Sequence, residues 1–412
     1  MPDPLPGSTD ENRGRPLRIL IGADTFPPDV NGAANFASRL AAGLVGRGHD
    51  VHVIAPAPSR KHGTGVESHD GGSFTVHRLR SWRWYPHDWL RYALPWTMQR
   101  NAARVLDEVK PDVVHFQSHI VVGRGLARQA VKRGIRIVGT NHFMPENMID
   151  HTLLPGFLHK TAISLAWADA AKTFRLAESV TSPTRKAAKF LEEATGIPNV
   201  HAISCGIDAT KYTPTFERRA ENRILFVGRV TGEKSIDVLL KAVAKLDPAL
   251  DVKLDIVGGG DLLAPLQQLA NGLGIRSRVT FTGYVTDEEL LEAYGRATVF
   301  AMPSIAELQS IATLEAMASA LPVVAADAMA LPHLVHDDEN GYLFTPGDVD
   351  DLAAKLTRVL TAPDAELQRL KRTSLAYIDP HDIGRTLATF ESLYRGEKVT
   401  DPVTEVSLDN PA

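Results

Sequence analysis

The chain has 412 residues, 44% of them hydrophobic and 23% charged, the proportions of an ordinary globular protein whose length favours two domains. Its formal net charge of −4 excludes a general nucleic-acid binder, which would carry a basic domain. The single cysteine, Cys205, excludes an internal disulfide and suits a reducing compartment, and no apolar run reaches the roughly 18–20 residues that span a bilayer.

Residues 1–16 are polar and rich in Pro and Gly, without the apolar stretch of a signal peptide or an anchor, and read as a disordered start. The chain then alternates predicted strands and helices. LRILIGA is followed by a helix over residues 33–47 and by DVHVIAP, and later come DVVHFQ, IRIVGTN and SVTSP. RILFVG, KLDIVG, RVTFTG, TVFAMPS, PVVAAD and GYLFTP repeat the theme, with helical stretches between them. Such alternation predicts an α/β protein made of two doubly wound domains, each a parallel sheet covered on both faces. The polar, Pro-containing TPTFERRAEN marks the change of domain, giving 17–212 and 213–380, then a helix within 381–396 and a flexible tail over 397–412.

Ligands of such folds bind outside the carboxyl ends of the strands, and the charged candidates all follow predicted strands. Glu307 and Glu315 stand eight positions apart in PSIAELQSIATLEAMASALPVV, a little over two helical turns. That places Glu315 inside a helix and Glu307 at or before its first turn, where free N–H groups face a phosphate and a carboxylate accepts from hydroxyls. Arg229 follows the strand at 224–228, and Lys234 precedes an apolar helix over 235–244. Both supply fixed cationic donors for the growing charge of a nucleoside diphosphate leaving group, each worth about 1.5–3 kcal/mol, so a metal is not obligatory. Asp348 and Asp350 spell D-x-D but precede DLAAKL and read as helix-start residues; no residue is assigned to a metal.

GRVTGEK followed by E-x7-E within EAMASALPVV resembles the retaining glycosyltransferases of family 4, which have the GT-B fold: two Rossmann-like domains facing across a cleft. FPPDVNGAANFASRLAAGLVGRGHDVHVIAP, HFQSHI, GTNHF, SCGID, VGGGDLLAPL, FTGYVTDEEL and HDDENGYLFTPGDVDDLAAKL resemble family segments in the same order, over roughly residues 17–394. The resemblance implies a retaining hexosyltransferase acting from a nucleotide-diphosphate sugar, UDP-hexose or GDP-mannose, with no cofactor required and no dependence on metal expected. It makes Arg229, Lys234, Glu307 and His119 the catalytic set. It assigns Gly32, Gly283, Tyr284, Val285, Ser310, Ile311 and Glu315 to the donor, Glu315 through the ribose, and it has the last helix cross back to the first domain. His142 and Asn141 are acceptor candidates, while His115 reads as core. Ser310 and Ala320 stand where the family more often has Gly.

Residues 78–100, RLRSWRWYPHDWLRYALPWTMQR, hold four of the five tryptophans and five arginines. Trp82, Trp84 and Arg83 are the acceptor-side candidates there, since aromatics and arginines together suit a lipid headgroup interface. Aromatic core packing behind a solvated Arg face is the competing reading. Glu307-Leu308-Gln309-Ser310 resembles the E-T-Q-G variant of diacylglycerol glycosyltransferases, which favours a membrane glycolipid acceptor and a cytoplasmic protein in peripheral contact with an anionic inner membrane face. Two alternatives stand beside it: transfer to a soluble or polymer-linked sugar, and a catalytically silent nucleotide-sugar-binding protein.

Overall fold

The computed structural model describes residues 14–29, 31–83, 91–144 and 156–400. They form two compact units, one made of the chain up to Ile203 together with the segment from Gly384, the other of Ser204–Ile383. The change of unit thus precedes the polar 212–221 stretch. Residues just after Ile203 are held inside the second unit: Cys205 N donates to Gln309 Oε1 at 2.7 Å, and Ile207 N to the His381 carbonyl at 2.7 Å.

The first unit contains β1 (Arg18–Gly22), β2 (Asp50–Pro56), β3 (Gly63–His69), β4 (Gly72–Leu79), β5 (Ser81–Arg83), β6 (Arg91–Ala93), β7 (Val113–Phe116), β8 (Arg136–Thr140), β9 (Ser179–Ser182) and β10 (His201–Ala202). Eight of these make one sheet in the order β10-β9-β8-β7-β1-β2-β4-β3, parallel except for β3 against β4; β5 and β6 form a separate antiparallel ribbon. The helices α1 (Gly32–Gly46), α2 (Pro95–Val109), α3 (Val122–Val131), α4 (His159–Phe174) and α5 (Arg185–Thr195) accompany the strands. Strand β7, VVHF, is buried at every position, as expected of a central parallel strand covered on both faces. Because strand order reverses between β1 and β7, their following loops open the crevice where doubly wound sheets bind ligands.

The second unit has a six-stranded parallel sheet, β13-β12-β11-β14-β15-β16, built from β11 (Arg223–Val227), β12 (Lys253–Val257), β13 (Val279–Gly283), β14 (Val299–Met302), β15 (Val323–Ala326) and β16 (Gly341–Phe344). Its helices are α6 (Ile236–Lys245), α7 (Leu263–Gly272), α8 (Asp287–Arg296), α9 (Ile311–Ala318), α10 (Val349–Leu360) and α11 (Asp364–Ala376). The switch point lies between β11 and β14. Helix α12 (Ile383–Arg395) is the last helix among the described residues, and its Phe390 and Tyr394 belong to the first unit, packing at tilted and edge angles on Phe36 and His115. His115 is fully buried, hydrogen-bonded to Tyr394 Oη and to Thr140 Oγ1 at 2.6 Å each, the core histidine expected from its place within a strand.

Candidate functional site

In the second unit the loops that leave β11, β12 and β13 are tied to one another by their backbones. Gly228 N donates to Val257 O at 3.0 Å, Val230 N to Gly259 O at 2.9 Å and Gly258 N to Gly283 O at 2.9 Å. A Cβ at Gly258 would lie 2.0 Å from the Gly228 carbonyl oxygen, so this glycine is dictated by the close approach of two backbones. The lacing holds Arg229 at the end of β11, where its guanidinium donates to Glu233 at 3.1 Å.

Across the switch point, the loop after β14 is stitched to the same turn. Ile305 N and Ser304 Oγ both donate to the Glu233 carbonyl, at 3.0 and 3.2 Å. That contact brings Glu307 onto Lys234, and the two form an ion pair in which both side chains are largely buried. The ammonium has three donors, so the carboxylate occupies one and the others remain for a second anion. Ser310 caps α9, accepting from Thr313 N, and Ile311 is the first helical residue, so their N–H groups are the free donors at that helix start. Glu315 lies one turn in, buried, with Oε2 accepting from the Tyr294 hydroxyl at 2.9 Å. Gly283 adopts φ 69°, turning the chain after β13 so that Tyr284 stands exposed and Val285 half-buried.

Gln309 is turned inward. Its Oε1 accepts from Cys205 N, its Nε2 donates to Ser204 Oγ at 3.0 Å, and Ser204 Oγ is hydrogen-bonded to His381 Nδ1 at 2.9 Å. The amide is therefore occupied within the protein. Ala320 is fully buried at φ 56°, in the left-handed turn that ends α9, which explains why glycine suits that place. Asp348 caps α10 by accepting from Asp350 N and Asp351 N, and Asp350 pairs with Lys245, so the D-x-D is helix capping.

In the first unit, Gly32 opens α1 behind Asn31, whose Oδ1 caps the helix by accepting from Ala34 N at 2.9 Å. Asp24, in the same loop, is a residue that sequence reasoning missed. It is half-buried and accepts from Ser118 Oγ and from Val121 N and Val122 N at 3.1 and 2.9 Å, fastening the loop after β1 to the start of α3. Burial raises its carboxyl above the ordinary range despite those bonds. His119, in the loop so fastened, is 4% exposed, lies between Phe143 and Phe174 at ring-centroid distances of 5.7 and 5.5 Å, and its Nδ1 has no partner within the protein. Desolvation, helped by the Arg124 charge, brings its pKa down to about 4.

Asn141 and His142 follow β8 but part company. Asn141 is fully buried with Nδ2 unpartnered. His142 packs on Phe36 at 4.8 Å and is hydrogen-bonded through Nε2 to Gln117 Oε1 at 2.9 Å, and burial brings its pKa down to about 3. On the ribbon, Trp82 is 59% exposed beside an exposed Arg83, and Trp96 at the start of α2 is 71% exposed, so these two indoles are not core. Trp84 lies outside the described residues. Arg78 is structural, bonded to Glu67 and to the Pro27 carbonyl at 2.6 Å each. Among the described residues no helix is long and apolar enough to cross a membrane, and no three His, Cys, Asp or Glu side chains group as metal ligands.

The model described as Glycosyltransferase Family 4 matches residues 30–211, and that described as Glycosyl transferases group 1 matches residues 213–374. A "GDP-mannose-dependent alpha-mannosyltransferase" of Mycobacterium tuberculosis is 31% identical over 81% of this chain and 85% of its own. The chain belongs to glycosyltransferase family 4. A second family 4 relative, the "Sulfoquinovosyl transferase SQD2" of Arabidopsis thaliana, is 30% identical over 62% of this chain and 52% of its own. Among solved structures, sucrose-phosphate synthase from Thermosynechococcus elongatus superposes with TM-score 0.75 at 19% identity, covering 92% of this chain and 99% of that one, which shows the shared GT-B fold. As a family 4 glycosyltransferase, the protein moves a sugar from a nucleotide-sugar donor.

Proposed function

We propose that this protein is a retaining mannosyltransferase that uses GDP-mannose and delivers the sugar to a hydroxyl of a membrane glycolipid. The reading rests chiefly on the Lys234–Glu307 pair beside Arg229 at the switch point of the second unit, and the donor's identity on the Mycobacterium tuberculosis relative. Arg229, the two remaining Lys234 donors and the N–H groups of Ser310 and Ile311 stabilise the departing diphosphate. Glu307 holds hydroxyls of the transferred mannose, Glu315 the ribose, and the 283–285 backbone lies along the base. Gly32 leaves room for the phosphates at the start of α1. His119 contacts the reacting sugar as a neutral donor, while Asn141 and His142 stand on the acceptor side.

No side chain of this set is assigned as a nucleophile, so retention proceeds by same-face displacement: the acceptor oxygen attacks the anomeric carbon as the sugar–phosphate bond breaks, and the departing phosphate oxygen takes the acceptor proton. The protein supplies positioning and fixed charge where negative charge grows. Since these cations are built in, turnover is expected to survive a chelator. Exposed Trp82 and Trp96, with Arg80, Arg83 and Arg100 exposed near them, match an anionic bilayer surface, and the protein is read as cytoplasmic and peripheral.

Calorimetric titration with GDP, UDP and their sugar conjugates tests the donor. Selective binding of GDP and GDP-mannose, weakened at least tenfold by Arg229→Ala, is expected. Preference for UDP, or no nucleotide binding, overturns it. Sedimentation with vesicles tests the surface, where equal recovery with anionic and zwitterionic lipid removes the membrane reading.

A further inference from the structure

Residues 303–310 join β14 to α9 without forming helix or strand, so bonds to other parts of the second unit set where the Ser310 and Ile311 N–H groups stand. Near its start the segment hangs on the Glu233 carbonyl, and at its middle Glu307 O accepts from Ala330 N at 3.1 Å. At its end, immediately before those N–H groups, a buried side chain fixes it, that of Gln309.

The neighbours of that amide determine its orientation. The buried Cys205 N–H needs an acceptor and meets Gln309 Oε1 at 2.7 Å, which leaves Nε2 to donate to Ser204 Oγ at 3.0 Å. Ser204 Oγ also accepts from Gly206 N at 3.1 Å, and with both lone pairs filled its own proton goes to His381 Nδ1 at 2.9 Å. The His381 carbonyl accepts from Ile207 N at 2.7 Å, and Ile383 N donates to Ile207 O at 3.0 Å. Ser204 and Ile383 bound the main segment of the second unit. One amide thus ties the start of α9 to the two stretches by which the chain enters and leaves that unit.

We propose that Gln309, backed by Ser204 and His381, is a positioning residue for sugar transfer: it anchors residue 309 so that the Ser310 and Ile311 N–H groups are already in place when the donor arrives. The inference rests on the reading that assigns those N–H groups to the diphosphate. Gln309 touches no substrate and acts through the two residues that follow it. The diphosphate gains negative charge as the sugar leaves, so misplaced N–H groups cost more in the transition state than in the bound donor. Loss of the anchor therefore lowers kcat more than it lowers nucleotide affinity.

The test uses the full chain and two variants. Gln309→Met fills a similar volume but leaves Cys205 N without its acceptor, while Ser204→Ala keeps that bond and removes only the acceptor for Nε2. Hydrogen exchange is followed by mass spectrometry, and nucleotide release from GDP-mannose is divided by the number of GDP sites counted calorimetrically, so that unfolded protein does not count as lost turnover. In Gln309→Met, exchange over residues 203–207 and 308–313 is expected to quicken at least fivefold with β11 and β14 unchanged. Turnover per site should fall at least tenfold there and about threefold in Ser204→Ala, with GDP affinity within threefold of wild type in both. Wild-type turnover per site in Gln309→Met, a loss of GDP affinity as large as the loss of turnover, or quickened exchange through β11 and β14 as well overturns the proposal. If the wild type neither binds GDP nor cleaves GDP-mannose, the donor reading falls, and the exchange comparison by itself upholds or overturns the anchoring role.

Discussion

Lys234 donates to Oε1 of Glu307, and this buried ion pair joins the loop after β11 to the loop after β14 across the switch point of the second sheet. Removing one partner of such a pair strands the other charge, a loss of about 3–5 kcal/mol when burial is complete. Lys234→Ala is therefore expected to lower both melting temperature and turnover, the latter by about 10²–10³, the scale for losing a preorganised charge-stabilising donor. Glu307→Gln keeps an acceptor for the ammonium but leaves its charge unmatched, so it too should lower the melting temperature, by less than Lys234→Ala, while losing turnover. In a double-mutant cycle, Lys234→Ala with Glu307→Ala should destabilise less than the sum of the single changes. Additive losses in the cycle would mean the pair is not coupled.

Tyr294 reaches from α8 to Glu315, its hydroxyl shared between Oε2 at 2.9 Å and the Ala312 carbonyl at 3.2 Å. Tyr294→Phe deletes the hydroxyl's bonds to Glu315 and to the Ala312 carbonyl while the ring stays packed against Tyr212 and Phe300. If Glu315 holds the donor, the variant should raise donor KM severalfold with kcat nearly unchanged, consistent with losing about 0.5–1.5 kcal/mol of orientation from one hydrogen bond. A drop confined to kcat, with donor affinity intact, would remove Glu315 from donor binding.

Much of this was legible in the sequence because period and position carry it. Apolar runs such as RILFV and VVHF could only be buried parallel strands, and residues following strands could only stand at the ligand-bearing edge. What pattern could not supply was the state of each polar atom. The paired glutamates were visible, but that Glu307 meets Lys234 depends on the Glu233 carbonyl gathering Ser304 and Ile305, a backbone contact with no sequence signature. Gln309 was equally visible, and its inward turn onto Ser204 and Cys205 was not, since only tertiary packing decides which way an amide points. Asp24 and Tyr294 were passed over for the same reason, each being a single polar residue whose partners lie far along the chain.

Ala320 carries a backbone cost that can be measured. At φ 56° an L-residue pays roughly 1–2 kcal/mol relative to the right-handed form, and glycine escapes most of it. Replacing a fully buried methyl loses some packing in return. Ala320→Gly is expected to raise stability by about 0.5–1 kcal/mol, seen as a higher denaturant midpoint with unchanged slope. A lower midpoint would show that the methyl's packing outweighs the strain.

Burial also writes a pH dependence into the fold. His119, His77 and His333 are held down to about 4, and His115, His142 and His381 to about 3, in each case first by desolvation of the charged ring. Their ordinary value is 6.5, so the unfolded chain binds protons between 6.5 and these depressed values that the folded chain refuses. Stability is then intact above about pH 6.5 and declines as pH falls through the window toward 4 and below. His52 is lowered by burial too, and Asp24 and Asp29, raised by burial, work the other way, their contribution growing as pH falls, but they are two groups against seven. Melting temperature should be flat from roughly pH 7 to 8 and fall steeply below about 6. His119→Gln should remove part of that slope, and because the His119 ring stays neutral above its depressed value, kcat should show no histidine limb near neutral pH. An acid limb near 6.5 that disappears in His119→Gln would mean that the ring titrates freely and that its burial between Phe143 and Phe174 does not hold in solution.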